Sequence, residues 1–251
     1  MLEIRNLSGG YGKQEVLRSI SFDAPAGSIT AIVGPNGCGK STLLKSICGI
    51  LPAAGQVLLD GESLLTLPRN LLAQKVAYLA QNRQTPDISV RRLILHGRFP
   101  YLHYPRRYRK CDYETVDRIM ARLDLTALAD TPLNQLSGGQ QQRVYLAMAL
   151  AQETDVIALD EPTTYLDISH QIALFSLAKQ LAAAGKTVLM VVHDLPQAFS
   201  LADRILLMDA GATVSCGTAE EVFQSHATDK VFGIRFCRME TETGCRYYCS
   251  D

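Results

Sequence analysis

Gly34-Pro35-Asn36-Gly37-Cys38-Gly39-Lys40-Ser41-Thr42 satisfies the pattern Gly-x-x-x-x-Gly-Lys-Ser/Thr, and its surroundings decide the fold. On its N-terminal side Ser28–Val33 is an apolar, β-branched run that reads as a buried strand. On its C-terminal side Leu43, Leu44, Ile47 and Cys48 recur on one face of a helix. A strand, a glycine-rich turn and a helix in that order make a phosphate cradle. The glycines let backbone N–H groups close around phosphate oxygens without obstruction by a Cβ. The helix adds roughly half a positive charge at its N-terminus. Lys40 is then placed to reach the β- and γ-phosphates, and the Ser41 hydroxyl to coordinate Mg²⁺, so the stretch predicts a nucleotide site.

Such a cradle needs a second metal anchor, a carboxylate at the end of a buried strand. Val156-Ile157-Ala158-Leu159-Asp160-Glu161 supplies two acids there. Asp160 is expected to hold Mg²⁺, directly or through water, and Glu161 to polarise an attacking water. Upstream lies Leu136-Ser137-Gly138-Gly139-Gln140, at the predicted start of a helix. A serine followed by two glycines at a helix N-terminus is itself a small anion site. The chain thus carries two phosphate-binding elements but one cradle lysine, and the economical explanation is that the second element completes a site on another copy.

Further out, the chain alternates strands and helices. Strands are expected at Leu2–Asn6, Val16–Phe22, Gln56–Leu59, Val76–Ala80, Val156–Leu159, Thr187–Val192 and Arg204–Met208, several with the continuous apolar pattern of strands covered on both faces. Ile172, Phe175, Leu177, Ala178 and Leu181 mark a helix ending near Gly185, and Thr218 with Glu221 forms a capping box. Asp209-Ala210-Gly211-Ala212 reads as a hairpin turn. From about Ile88 to Ala151 no strand is expected; Val116, Ile119, Met120 and Leu123 mark a helical face instead, and Pro86, Pro100, Pro105 and Pro132 punctuate the stretch. This reads as a helical subdomain inserted in an α/β core.

Composition sets bounds. Twenty-five Lys+Arg balance 25 Asp+Glu, apolar residues make up 47% and charged ones 20%, as in ordinary folded proteins, which excludes a disordered chain. Zero net charge removes the global pull expected of a protein that coats nucleic acid. The longest apolar runs fall far short of the roughly 20 residues a spanning helix needs, and the N-terminus lacks a secretory signal, so the chain is expected in the cytosol with its cysteines reduced. Cys38, Cys48, Cys111, Cys216, Cys237, Cys245 and Cys249 are odd in number and contain no Cys-x-x-Cys pair.

With these motifs in this order, nearly the whole chain resembles the ATP-binding subunit of ABC transporters. The resemblance implies one α/β domain over residues 1–251, a P-loop NTPase core of ABC ATPase type with N-terminal antiparallel strands. Residues 1–85 and 156–251 would form the core, and about 86–155 the helical subdomain carrying the signature Ser137–Gln140. Tyr11, in the glycine-rich turn after the first strand, matches the aromatic that stacks on adenine. Gln81 matches the glutamine that senses metal and γ-phosphate, Asp167 the loop crossing the dimer interface, and His193 the switch histidine that contacts the γ-phosphate. Two subunits are then expected to sandwich two ATP molecules, each between one P-loop and the partner's signature. Hydrolysis at Glu161 opens the dimer and drives a separate transmembrane permease from the cytoplasmic face of the membrane.

His96–Tyr101, Pro162–Asp167 with Tyr165, and Lys230–Gly233 resemble the branch importing ferric siderophores, haem and cobalamin, whose cargo reaches the permease through a binding protein. Arg91, Arg92, Arg98, Arg106, Arg107, Arg109 and Lys110 form a basic group that reads either as a surface near the permease and anionic lipid or as a solvated face. The tail from Cys237 to Asp251 is expected as a short strand and a frayed end rather than a thiol metal site. A soluble ABC ATPase acting on DNA or ribosomes is the competing class. The short interval from Gln81 to Ser137 without heptads, and the presence of one cassette, argue against it. A P-loop kinase would have no use for Leu136–Gln140.

Overall fold

The computed structural model describes the chain except residues 13, 82–84, 165, 242–243 and 251, with backbone alone at 241 and 244. The expectation for Tyr165 lies outside the described residues. In chain order the elements begin with β1 (Leu2–Tyr11), β2 (Gln14–Ala24), β3 (Ile29–Val33), α1 (Lys40–Ile47), β4 (Ala53–Leu59), β5 (Glu62–Ser63), α2 (Arg69–Lys75) and β6 (Val76–Leu79). Helices α3 (Val90–Leu95), α4 (Lys110–Arg122) and α5 (Gly138–Leu150) follow, then β7 (Val156–Leu159), α6 (Ile168–Ala183), β8 (Thr187–Val191) and α7 (Leu195–Leu201). The chain continues through β9 (Arg204–Asp209), β10 (Ala212–Thr218), α8 (Ala219–Gln224), α9 (Ala227–Phe232), β11 (Arg235–Thr241) and β12 (Gly244–Ser250).

The central sheet has the order β10-β9-β3-β8-β7-β6, parallel except for the antiparallel edge strand β10. Its residues alternate between two cores. Ile32, Val156, Ala158, Leu189, Val191, Leu206 and Met208 face α1 and the antiparallel sheet β2-β1-β4-β5. Their neighbours Ala31, Val33, Ile157, Leu159, Val188, Met190, Ile205 and Leu207 face the helical side, including α5 and α6. Burial on both faces is why β3, β7 and β8 read as unbroken apolar runs. Ligands of such sheets bind outside the carboxyl ends of the strands, where Gly34 and Asp160 emerge.

Departures from the sequence reading have local causes. Strand β1 runs on to Tyr11, which pairs with Gln14 and so closes a strand instead of lying in a turn. Polar Asn6 and Ser8, two glycines and register shifts disguise it. Strand β4 starts at Ala53 because Gly55, at φ +107, lets its backbone pass β1; a Cβ there would stand 2.4 Å from the Asn6 carbonyl oxygen. Ile172 is 63% exposed, and the buried face of α6 is carried by Leu174, Leu177, Ala178 and Leu181. Arg98 does not belong to a basic surface. It is buried, with Nε 3.1 Å from Asp112 and a terminal nitrogen 2.8 Å from both Glu153 and the Ala151 carbonyl. The tail is no frayed end: β11 and β12 form a hairpin whose Phe236 and Tyr247 rings stack at 5.6 Å. The hairpin between β9 and β10 and the capping box at Thr218 form as expected. Between β6 and β7 the described residues hold helices and one isolated bridge, Ser89 to Pro132.

Candidate functional site

The cradle is built by backbone that only glycine accepts. Gly34, at φ +155, passes so close to β9 that a Cβ would stand 2.2 Å from the Met208 carbonyl oxygen. Gly39, at φ +104, turns the chain into α1. The turn of the β9–β10 hairpin braces the loop from outside: Gly211 N–H donates to the Cys38 carbonyl at 3.1 Å, and Arg18 N–H donates to the Gly211 carbonyl at 2.7 Å. Pro35, Asn36, Gly37 and Thr42 complete the same loop and first helical turn. Cys38 is buried, and that burial pushes its thiol pKa up.

Inside the cradle, Lys40 is 5% exposed and its ammonium donates to the carbonyls of Gly34 at 2.8 Å and Pro35 at 2.9 Å. Among the described residues no carboxylate pairs with it. A buried cation satisfied only by carbonyls is complementary to an anion. Opposite stands Asp160, 1% exposed at the end of β7. Its Oδ1 accepts from the Ser41 hydroxyl and its Oδ2 from the Tyr78 hydroxyl, both at 2.8 Å. The Tyr78 phenol is driven up by burial and then by the charge of Asp160, as is the thiol of half-buried Cys48 nearby. Asp160 thus has hydroxyl partners and, among the described residues, no cationic one. A hard carboxylate beside a hydroxyl, facing a phosphate cradle, fits Mg²⁺, which keeps its waters and takes remaining oxygens from substrate phosphates.

Glu161 follows with φ +48, a left-handed conformation uncommon outside glycine, which swings its carboxylate off the strand axis. Two side chains meet that carboxylate. His193 Nε2 lies 2.5 Å from Oε1, and the Gln81 amide donates to Oε2. Gln81 leaves β6 and His193 leaves β8, the two neighbours of β7, so parallel strand order alone brings the three together.

The other sequence-derived residues lie around this centre. Ser137 caps α5: its hydroxyl accepts from the Gln140 N–H at 3.3 Å while Gln140 Oε1 accepts from the Ser137 N–H at 2.9 Å. Ser137 and Gly138 are exposed, so this helix N-terminus, with Gly139, opens outward. Gln142, one turn on, donates to the Pro162 carbonyl just past Glu161. Asp167 caps α6, accepting from the His170 N–H at 2.9 Å and the Ser169 hydroxyl at 2.8 Å, which lowers its pKa to about 2. Tyr11 is 47% exposed, with the Lys45 ammonium 5.9 Å from its ring centroid. Tyr78 and Gln142 were not singled out in the sequence; the first reads as a strand residue and the second as helix surface.

Three comparisons agree with this geometry. The model of the ABC transporter family matches residues 17–164, more than half of the chain. The ferric enterobactin transport ATP-binding protein FepC of Escherichia coli (strain K12) is 43% identical over 232 residues, spanning 91% of this chain and 86% of that protein. The "Probable siderophore transport system ATP-binding protein YusV" of Bacillus subtilis (strain 168) is 39% identical over 93% of this chain and 86% of its own length. Among solved structures, a metal-chelate type ABC transporter in an inward-facing conformation superposes with a TM-score of 0.84 at 28% identity, covering 99% of this chain and 96% of that one. Among the described residues no helix is long and apolar enough to cross a membrane. With an anion cradle, a buried carboxylate and an outward signature helix in one chain, the protein belongs to the ATP-binding subunits of the ABC transporter family.

Proposed function

We propose that this chain hydrolyses ATP to energise uptake of a ferric siderophore through a separate transmembrane permease, working as a dimer on the cytoplasmic face of the membrane. The observation that carries the reading is the convergence of Gln81 and His193 on the Glu161 carboxylate, with a buried cradle lysine that has no carboxylate partner among the described residues. The siderophore cargo is supported by the relatives whose names give ferric enterobactin and siderophore transport.

The chemistry follows from what each group can donate or accept. The Gly34–Thr42 loop and Lys40 hold the phosphates, and the exposed Tyr11 ring offers a stacking face to adenine. Ser41, Asp160 and the amide oxygen of Gln81 would hold Mg²⁺, which when bound neutralises charge on the β- and γ-phosphates. Gln81 and His193 engage both Glu161 oxygens. A γ-phosphate offers His193 and Gln81 a better acceptor, and their transfer frees Glu161 to accept a proton from the attacking water. Exposed Ser137 and Gly138, with Gly139 beside them and Gln140 holding the cap, would contact the γ-phosphate on a second copy. Asp167, at the head of α6, belongs to the same dimer face.

The test compares cells carrying this chain with cells carrying Glu161→Gln, with the permease expressed, for uptake of labelled ferric siderophore, haem and cobalamin. Loss of siderophore uptake alone is expected. Loss of haem or cobalamin uptake alone would reassign the cargo, and no change in any would remove the importer branch. In the purified protein Glu161→Gln is expected to keep ATP binding and lose at least about 100-fold in turnover. Sustained hydrolysis would overturn the role of Glu161.

A further inference from the structure

We propose that the C-terminal hairpin, through Tyr247 and Phe236, positions His193 against Glu161, an inference that rests on the reading of those two residues given above. His193 stands at a junction of unequal rigidity. Before it lies β8, buried throughout and paired on both sides in the central sheet. After it lies α7, which has seven residues. A helix of two turns has no stability of its own in water, so its position is decided by what packs on it.

The hairpin packs on it. Phe199 of α7 is 3% exposed and meets Phe236 edge-on at 4.8 Å and Tyr247 at 5.2 Å. Phe223 of α8 closes the group, at 6.0 Å from Phe236 and 5.5 Å from Tyr247. Aromatic pairs at these separations are attractive beyond their burial, so the rings hold α7 against the hairpin. The hairpin is itself tied down away from α7: Phe236 N–H donates to Asp229 at 3.2 Å, and Arg238 pairs with Glu220 and lies 5.5 Å above the Phe223 ring. Asp194 caps α7 by accepting from the Gln197 N–H at 2.7 Å, so His193 moves with the helix as its immediate N-terminal extension. Phe199 sits six positions beyond His193, about 9 Å along the axis at the helical rise. A hydrogen bond of the His193–Glu161 kind tolerates a few tenths of an ångström, and a catalytic misplacement near 1 Å costs up to about 100-fold. The aromatic group is therefore a positioning device for the histidine, sequence-distant from the cradle.

The experiment is a double-mutant cycle on the purified full-length chain, measuring kcat and KM for ATP. Tyr247→Ala is expected to lower kcat about 10-fold with KM changed less than about 2-fold, and Tyr247→Phe, which keeps the ring, to restore kcat to within about 2-fold. In a His193→Ala background, Tyr247→Ala should cost less than about 2-fold further, because the group it positions is gone. An undiminished 10-fold loss in that background, or an unchanged kcat in Tyr247→Ala alone, would overturn the inference. If Tyr247→Ala does not fold, Phe199→Leu probes the same contact with volume nearly kept; a lowered kcat that vanishes in the His193→Ala background supports the inference, and an unchanged kcat overturns it. Failure of the underlying reading looks different: His193→Ala itself would leave kcat unchanged.

Discussion

Replacing Gly211 by alanine tests whether the β9–β10 turn braces the phosphate cradle. Gly211 has φ +82, where an alanine costs about 1–2 kcal/mol in backbone sterics. Its new Cβ would stand 1.9 Å from the Val16 carbonyl oxygen, so the turn must move away from β2. That movement weakens both hydrogen bonds of Gly211, to the Cys38 carbonyl and from the Arg18 N–H, each with a net contribution of about 1 kcal/mol. The expected loss is about 3–4 kcal/mol, which lowers Tm by roughly 6–16 °C in a chain of this size. Gly185 supplies the control: its φ is +86, but nothing lies within 4 Å of a Cβ built there. Gly185→Ala should therefore show the backbone cost alone, about 1–2 kcal/mol. Thermal denaturation of both variants, with ATP binding by calorimetry, separates the two effects. Gly211→Ala should also bind ATP at least about 3-fold more weakly through the displaced Cys38, whereas Gly185→Ala should bind normally. Equal losses of Tm with unchanged ATP affinity would refute the bracing argument.

Lys40→Ala should weaken ATP binding about 10- to 100-fold, the loss expected for one buried charge-assisted contact, and unchanged affinity in a calorimetric titration would remove the cradle assignment. Ser137→Arg should leave ATP binding to the monomer intact while preventing ATP-driven dimerisation, read by sedimentation; dimers that persist would place the outward helix outside the interface. The depressed pKa of Asp167, about 2 against about 3.9 unfolded, contributes stability above the unfolded value that fades as pH falls toward 2. Asp167→Asn should flatten that acid limb of the Tm profile, and an unaltered limb would show that the cap does not titrate with folding.

The parts legible in the sequence are those where chemistry dictates the backbone. The Gly34–Thr42 loop needs its glycines, and the apolar strand before Asp160 needs its length, so both stand out from pattern alone. Gln81, Glu161 and His193 are far apart in the sequence, and only the order of three parallel strands makes them meet. Arg98 illustrates the opposite case. It lies among surface arginines in the sequence, yet its partners Asp112 and Glu153 come from α4 and the segment after α5, which no local pattern reveals. The C-terminal hairpin escaped because its core-facing rings, Phe236 and Tyr247, lie on short strands where Arg235, Arg238, Glu240 and Arg246 break up any apolar alternation. Its partner face, Phe199 and Phe223, exists only once α7 and α8 are in place.

The same geometry sets a mechanical coupling between the helical stretch and the Glu161 carboxylate. Glu161 is held by three contacts from elements outside β7: Gln81 and His193 hold its carboxylate, and Gln142 of α5 holds the next residue's carbonyl at Pro162. Asp160, by contrast, is anchored inside the core by Ser41, Tyr78 and its own N–H to the Leu79 carbonyl at 2.9 Å. A displacement of α5 therefore pulls at Pro162 while the metal-side carboxylate stays fixed. Glu161, left-handed at φ +48, lies between the fixed point and the moving one. Its backbone is the joint that must absorb the difference, and left-handed non-glycine backbone has a competing right-handed basin within about 1–2 kcal/mol. In the proposed dimer, a second copy pressing on the exposed Ser137 end of α5 would act on Glu161 through one turn of helix and one hydrogen bond.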